Sequence, residues 1–274
     1  MPSCTACRPF PVPTPPSPIA PEAGLAEGSM KVIADFHNHS CLSPCASLDM
    51  SPSLLARQAR ARGLELVALT DHNSALNAPA WLECARREGL VPLFGLEATS
   101  IEEVHVLCLF GTVDEALGFG EYLRVRLLPL PYDRRRLGDQ VVVDADEGVV
   151  DLPEIYFGAA LTLGFDELCA VGRAWDALVI PAHIDRPMFG AISQLGFLPE
   201  GPYQAVELMR PADRSLAAGH TVTTGSDAHY PEHIGRRPFG IELPPGWKQA
   251  DGLADMAILA AALRPELINL PGQP

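Results

Sequence analysis

Two histidines stand two residues apart in Asp35-Phe36-His37-Asn38-His39-Ser40, directly after the apolar run Val32-Ile33-Ala34. A short apolar run reads as a buried strand, and side chains two apart on a strand share a face. Two imidazoles on one face at a strand end make half of a divalent-metal site. The plainer alternative is one structural and one solvated histidine. The chain, however, repeats the feature. Thr70-Asp71-His72-Asn73 ends a second apolar run, Glu97 follows a third, and His105 lies in or near the start of a fourth. Pro181-Ala182-His183 and Ser226-Asp227-Ala228-His229 end two more. So many ligand-type groups at strand ends are hard to obtain from stability alone, and they shift the balance towards a metal site.

The elements that must carry these groups alternate along the chain. Ser51-Pro52 is a helix cap followed by proline at the first turn, and the helix is expected to run to about Arg62 and stop at Gly63. Strands are expected over 64–69, 90–94 and 104–110, and a second helix over 78–88. A helix over 114–126 is weakened by Gly118 and Gly120. Val141-Val142-Val143 and Val149-Val150 flank Asp144 to Gly148 as a β-hairpin would. Residues 112–163 therefore read as an insertion beside the main body, placed to act as a lid. A helix over 165–175, short strands at 178–180, 205–208 and 221–224, and a last helix over 250–263 complete the pattern. Strands alternating with helices argue for an α/β barrel with a mostly parallel sheet, and such barrels gather their chemistry at the C-terminal strand ends.

Composition narrows the partners. The 274 residues carry 34 acidic against 20 basic side chains, a formal charge of −14 that opposes broad binding of nucleic acid. A small phosphorylated substrate stays compatible, because bound cations invert the local field. No basic-then-apolar leader and no bilayer-length apolar run is present, so the expectation is a cytoplasmic protein with no membrane partner and reduced thiols. Cys84, Cys108 and Cys169 lie in apolar patterns and read as core, whereas Cys41 and Cys45 closely follow the histidine pair. Residues 1–29 are proline-rich and aperiodic and read as a disordered extension. Their lone Cys4-x-x-Cys7 lacks the second pair a zinc site needs. Residues 30–274 are then the functional domain.

Taken together and in order, these motifs resemble those of the PHP (polymerase and histidinol phosphatase) family, from Met30 to about His233. Residues 41–77 also resemble a bacterial subgroup of that family. The resemblance implies a distorted (β/α)7 TIM-like barrel of the PHP type, with the hairpin-containing insertion, around a centre of up to three divalent ions, zinc, manganese or iron. It implies His37, His39, Glu97 and Asp227 for one ion, and His72, His229 and Cys45 for a second. His105, His183 and a bridging oxygen of Glu97 would hold a third. The family usually has histidine or aspartate where this chain has Cys45; a thiolate is itself a competent zinc or iron ligand.

Around that set, Asp35 and Asp71 adjoin ligand histidines and could orient them or cap strand ends. Arg186 and Arg210 follow strand ends and could fork onto a phosphate or form surface ion pairs. They join Glu97, Asp227 and His229 as expected catalytic residues. His220 reads as structural, and His233 as surface or substrate rim. Arg134-Arg135-Arg136 reads as a solvated loop. The expected activity is hydrolysis of a phosphomonoester such as a nucleotide or histidinol phosphate by metal-activated hydroxide. Nucleic acid enters only as a short substrate, in the alternative of a 5'-3' exonuclease. Two further alternatives are an amidohydrolase, disfavoured by the lack of a suitably placed lysine, and a non-catalytic redox or regulatory metal module using Cys41 and Cys45.

Overall fold

Ser51 starts the first helix as expected: its Oγ accepts the Leu54 N–H at 3.0 Å, and Pro52 sits in the first turn. The computed structural model describes residues 28–271, so the expectations for Cys4, Cys7 and most of the proline-rich extension lie outside the described residues. Helix α1 (Pro52–Ala61) ends before Gly63 and α2 (Ala78–Arg87) before Gly89. Both glycines have positive φ, +77° and +72°, the left-handed turn that closes a helix. The helices bury Leu55, Ala56 and Ala59, and Trp81, Cys84 and Ala85, respectively.

Beneath them lie strands β1 (Met30–Asp35), β2 (Leu66–His72) and β3 (Val91–Thr99), paired in parallel. Strands β2 and β3 are buried along their whole length, which suits a sheet covered on both faces. Strand β3 runs on through Glu97, which therefore lies inside the strand and not after it.

The next strand departs from the expected repeat. Strand β4 (His105–Phe110) pairs antiparallel to β3, because the five residues between Thr99 and His105 are too few for a crossover helix. Ser100 and Val104 close that hairpin through a 2.9 Å backbone bond. The reversal explains why His105 begins a strand when the other ligands end theirs: the start of β4 lies at the same mouth as the end of β3.

Helix α3 (Val113–Arg124) carries a capping box between Thr112 and Glu115 and buries Phe119 and Leu123. At Gly120 an added Cβ would stand 3.4 Å from Leu96 Cδ2, so the glycine that weakens the helix lets it lie close to the sheet. This helix is part of the wall, and the segment projecting from it begins later than residue 112. That segment holds α4 (Arg134–Leu137) and the hairpin β5 (Val142–Val143) and β6 (Val149–Asp151). The hairpin tip docks on the flank of α1 and α2, through Ser51 Oγ to Glu147 at 2.7 Å and Arg87 to Asp146 at 2.8 Å. Residues 157–159 instead reach the strand ends, where Asn73 Nδ2 donates to the carbonyls of Phe157 and Ala159.

Helix α5 (Phe165–Ala174) leads to β7 (Leu178–Pro181), which pairs antiparallel to β4, and α6 (Ala191–Leu195) follows. Strands β8 (Val206–Glu207) and β9 (Val222–Thr223) form a separate parallel pair. Strand β10 (Phe239–Leu243) lies antiparallel on β1, and β11 (Ile268–Asn269) on β10. Helix α7 (Met256–Ala262) starts only at its Asp255 cap, later than the expected 250, because Gly252 takes a positive φ in the preceding turn.

The main sheet thus runs β11-β10-β1-β2-β3-β4-β7, mixed in direction. Its curl continues from β7 to β8 through the Ile184 N–H to Glu207 carbonyl bond at 2.9 Å. It returns to β1 where Asn38 bridges Ala228 in parallel. No helix among the described residues is long and apolar enough to cross a membrane.

Candidate metal centre

Glu97 is the hub. Its Oε1 lies 2.7 Å from His105 Nδ1, 3.0 Å from His183 Nε2 and 3.2 Å from His37 Nε2. Its Oε2 lies 3.2 Å from His72 Nδ1 and 3.3 Å from His39 Nε2. Asp227 Oδ1 is 3.5 Å from both His37 and His39 and 3.4 Å from His229. The expected ligands His37, His39, His72, Glu97, His105, His183, Asp227 and His229 therefore meet at one mouth. The Glu97–His105 contact follows from register: His105 pairs with Thr99, which shares a face with Glu97 two residues earlier.

The backbone is bent to aim these groups. His183 and Asp227 sit at φ +29° and +47°, conformations that cost a non-glycine residue energy and recur at functional sites.

Partners behind the ligands fix the rings. Glu207 is buried, 3.0 Å from His37 Nδ1, and also accepts the His183 N–H at 3.1 Å. Asp71 does not touch an imidazole; it accepts Ser43 Oγ at 2.7 Å, and Ser43 Oγ meets His39 Nδ1 at 2.9 Å. Asp35 holds backbone instead, accepting the amides of Ser226 at 3.0 Å and His37 at 3.4 Å. Glu207 and Ser43 were not anticipated. Glu207 carries the same signal as Glu97, a carboxylate at the end of a short apolar run.

Two groups of charge emerge. Burial opposes ionisation of Glu97, but His105, His37 and His72 outweigh it and hold the carboxyl well below its usual range. Asp227 is held low in the same way, chiefly by His37 and His39. Burial keeps His72 well below the ordinary histidine value and takes His229 down to about 3, with His39 adding repulsion to both. Neutral imidazoles beside ionised carboxylates are the protonation states that metal ions take up.

The cluster fits divalent cations on a second count. His72 Nδ1, Glu97 Oε2, His183 Nδ1 and Asp227 Oδ1 are buried without a hydrogen-bond partner, although the first two lie 3.2 Å apart. That contact lacks hydrogen-bond directionality, and each such orphan costs about 1–3 kcal/mol unless something else satisfies it. Among the described residues, four overlapping ligand sets have their donor atoms within 4.8 Å of one another: His39, His72 and His229; His37, His39 and Asp227; His37, Glu97 and His183; and His72, Glu97 and His105. Nitrogen with carboxylate oxygen is a donor set for zinc, manganese or iron.

The remaining candidates divide. Arg186 Nη1 reaches Asp227 Oδ2 at 3.1 Å and His183 Nε2 at 3.5 Å, so it stands on the cluster. Arg210 does not: 70% exposed, it pairs with Asp213 at 2.9 Å and approaches Asp185 at 3.8 Å. Asp213 stands three residues on in the sequence, whereas only the fold brings Asp185 near. His220 packs on Tyr203, with ring centroids 4.7 Å apart, and His233 on Tyr230 at 5.4 Å. Cys45 Sγ lies 3.1 Å from His229 Nε2, its thiol pushed up to about 12 by burial and by Glu97. Cys41 is buried, and burial with Asp71 raises it to about 12 as well.

A curled α/β sheet brings histidines and carboxylates together at one mouth in sets that could hold metal ions, and comparison with known proteins adds to this. Residues 35–169, just under half of the chain, match the PHP domain family model, so this stretch is a PHP domain. Among curated proteins the chain is similar to the PolC-type DNA polymerase III of Streptococcus suis (strain 98HAH33), 38% identical over 79 residues. That stretch is 29% of this chain but 5% of the polymerase.

Among solved structures it is similar to the lesion-specific endonuclease PfuEndoQ of Pyrococcus furiosus, with a TM-score of 0.58 and 20% identity over 78% of this chain and 53% of that one. A protein of Bifidobacterium adolescentis assigned as a metal-dependent phosphoesterase gives a TM-score of 0.51 and 17% identity, covering 84% and 95% of the two chains. The chain spans about half the length of the endonuclease and a small fraction of the polymerase.

Proposed function

We propose that the protein hydrolyses a phosphomonoester of a small molecule, a nucleotide, histidinol phosphate or similar, at the Glu97-centred cluster. The observation that carries this reading is the cluster itself, buried, rich in imidazole and carboxylate and ringed by unpartnered polar atoms. His37, His39, His72, His105, His183, His229, Glu97 and Asp227 would hold the ions, with Glu97 presenting one oxygen to each side. When bound, the ions polarise phosphoryl oxygens and lower the pKa of a water facing phosphorus.

The protein's own groups do the rest. Glu207 and the Asp71–Ser43 pair hold His37 and His39 in one orientation, so the ligands do not reorganise during reaction. Arg186, with a 31% exposed side chain, places positive charge at the rim, and among the described residues only its Nη1 is engaged. Its other donors can fork onto a phosphoryl oxygen pair.

The monoester preference rests on charge. Arg236 and Arg237 lie beside the site, but their guanidinium groups are spent on the carbonyls of Gly225, Ser226 and Asp227. That leaves Arg186 as the cluster's cation, enough for one phosphoryl group, in a chain of net charge −14. The second reading is a nuclease, supported by the fold shared with the endonuclease. Purified protein loaded with manganese, zinc or iron should release phosphate from mononucleotides, and Asp227→Ala should abolish the release. Shortening or nicking of oligonucleotides with no phosphate released from any monoester would favour the nuclease instead.

A further inference from the structure

We propose that Phe189 is a stacking shelf for the leaving group of the substrate, and that this leaving group is a nucleoside. The proposal deepens the monoester reading above and rests on it. It starts from an aromatic side chain with no place in the core. Among the described residues, neither the buried apolar cluster nor the half-buried side chains packed on it include Phe189, although the residue is itself half-buried. Its ring lies instead on His105, with centroids 4.5 Å apart and planes 13° from parallel. A phenylalanine contributes to stability mainly by joining a core. This one covers a histidine of the cluster and leaves its remaining surface at the mouth.

The loop that carries the ring holds it there. Phe189 sits at φ +63°, a left-handed conformation that is an outlier for a bulky side chain and recurs at ligand sites. Its carbonyl accepts the His105 N–H at 3.0 Å, which ties the ring to the histidine it covers. The loop closes tightly on itself: Arg186 N–H donates to the His183 carbonyl at 2.8 Å, and a Cβ added at Gly190 would stand 2.6 Å from the Arg186 carbonyl oxygen. Asp185 anchors it to the segment after β8 by accepting the amides of Met209 at 2.8 Å and Arg210 at 2.9 Å.

Arg186 stands three residues before Phe189 on the same loop. Its guanidinium carbon lies 6.0 Å from the centre of the Phe189 ring, while its Nη1 reaches Asp227 and His183. The cation therefore lies between the cluster and the shelf. A phosphoryl group forked by Arg186 has an aromatic surface about one sugar's length away. Every nucleobase has a flat π face to lay on such a surface, whereas a plain sugar or alkyl alcohol has none. The imidazole of histidinol shares that chemistry on a smaller ring, but it brings an ammonium group that Arg186 repels.

The test compares esters on the full chain loaded with manganese. For wild type, kcat/KM for AMP should exceed that for ribose 5-phosphate at least about tenfold, the effect of stacking one base. Histidinol phosphate should fall between them. Phe189→Ala should bring the ratio of AMP to ribose 5-phosphate near one, mainly through KM, and Phe189→Tyr should restore it. If Phe189→Ala slows all three esters and keeps the ratio, the ring only steadies His105, and the proposal falls while the monoester reading stands. Equal rates for AMP and ribose 5-phosphate in wild type have the same meaning. A preference for histidinol phosphate that Phe189→Ala removes would overturn the nucleoside. Binding separates the shelf from the reaction. A phosphonate analogue of AMP, which cannot be hydrolysed, should bind wild type more tightly than methylphosphonate does, by calorimetry, and Phe189→Ala should cut that advantage at least about tenfold. An advantage that Phe189→Ala keeps overturns the shelf whether or not any ester is cleaved. The expected loss of binding, in a protein that cleaves no monoester, would keep the shelf and overturn the monoester reading instead.

Discussion

At the scale of single residues, the centre depends on Glu97 more than on any histidine, because its two oxygens face His37, His39, His72, His105 and His183 between them. Glu97→Ala should therefore remove more than one equivalent of metal, measured by elemental analysis. Wild-type content in that variant would mean Glu97 does not bridge.

A pH dependence follows from the first two histidines. Burial pulls His37 and His39 down, but Glu207, Glu97 and Asp227 lift His37 well above its usual value, and Asp227 and Glu97 lift His39 to about 9. Metal-free protein thus holds protons there near neutrality, and an ion must displace them. Apparent metal affinity should rise with pH until about 9, read by competition with a chelating dye, and a flat profile would contradict it.

The ligands were legible because each is a histidine or carboxylate beside an apolar run, a pattern that survives without coordinates. Glu207 bears the same mark and was passed over, and its role behind His37 shows only in a contact 170 positions apart. Arg210 read like Arg186 for the converse reason, since both follow strands and only the fold shows which one meets the cluster.

At the scale of elements, local signals decided the helices and distant pairing decided the strands. Ser51 acts through a neighbour within a turn, so α1 was readable from its cap; the Thr112–Glu115 box that starts α3 is as local but went unread. Strand β10 lies antiparallel on β1; Phe239, Ile241 and Leu243 alternate along it as on a strand, yet the run is short and its partner is some 200 positions away, so it went unread. The direction of β4 was hidden in the length of a loop.

The Ser51 cap also ties two elements together, since its hydroxyl accepts from Leu54 and donates to Glu147 on the hairpin. Ser51→Ala should lower stability by about 1–2 kcal/mol, the upper part of the range for a lost cap. Urea unfolding measures it, and a loss below a few tenths would show that neither bond matters.

At the scale of the whole molecule, the curled sheet brings the first and last motifs together. His39 N–H donates to the Ala228 carbonyl at 3.0 Å, and Asn38 bridges Ala228. Ions that bind the folded cluster and not the unfolded chain stabilise it by mass action, about 2.7 kcal/mol at 100 times Kd. Melting temperature should rise with zinc or manganese and return to its starting value on chelation.

The Asn38–Ala228 bridge also has a consequence in time. Its two residues stand near opposite ends of the described chain, so a ribosome must deliver nearly all of the domain before they can meet. Until then the early histidines have no Asp227 or His229 to share an ion with. The seam forms late, with only the pairing of β10 and β11 still to follow, and with metal removed it should be the first place for the wall to part. Amide hydrogen exchange at His39 and Ser47, whose N–H groups cross that seam, should quicken on chelation, while the amides of β2 and β3 keep their protection.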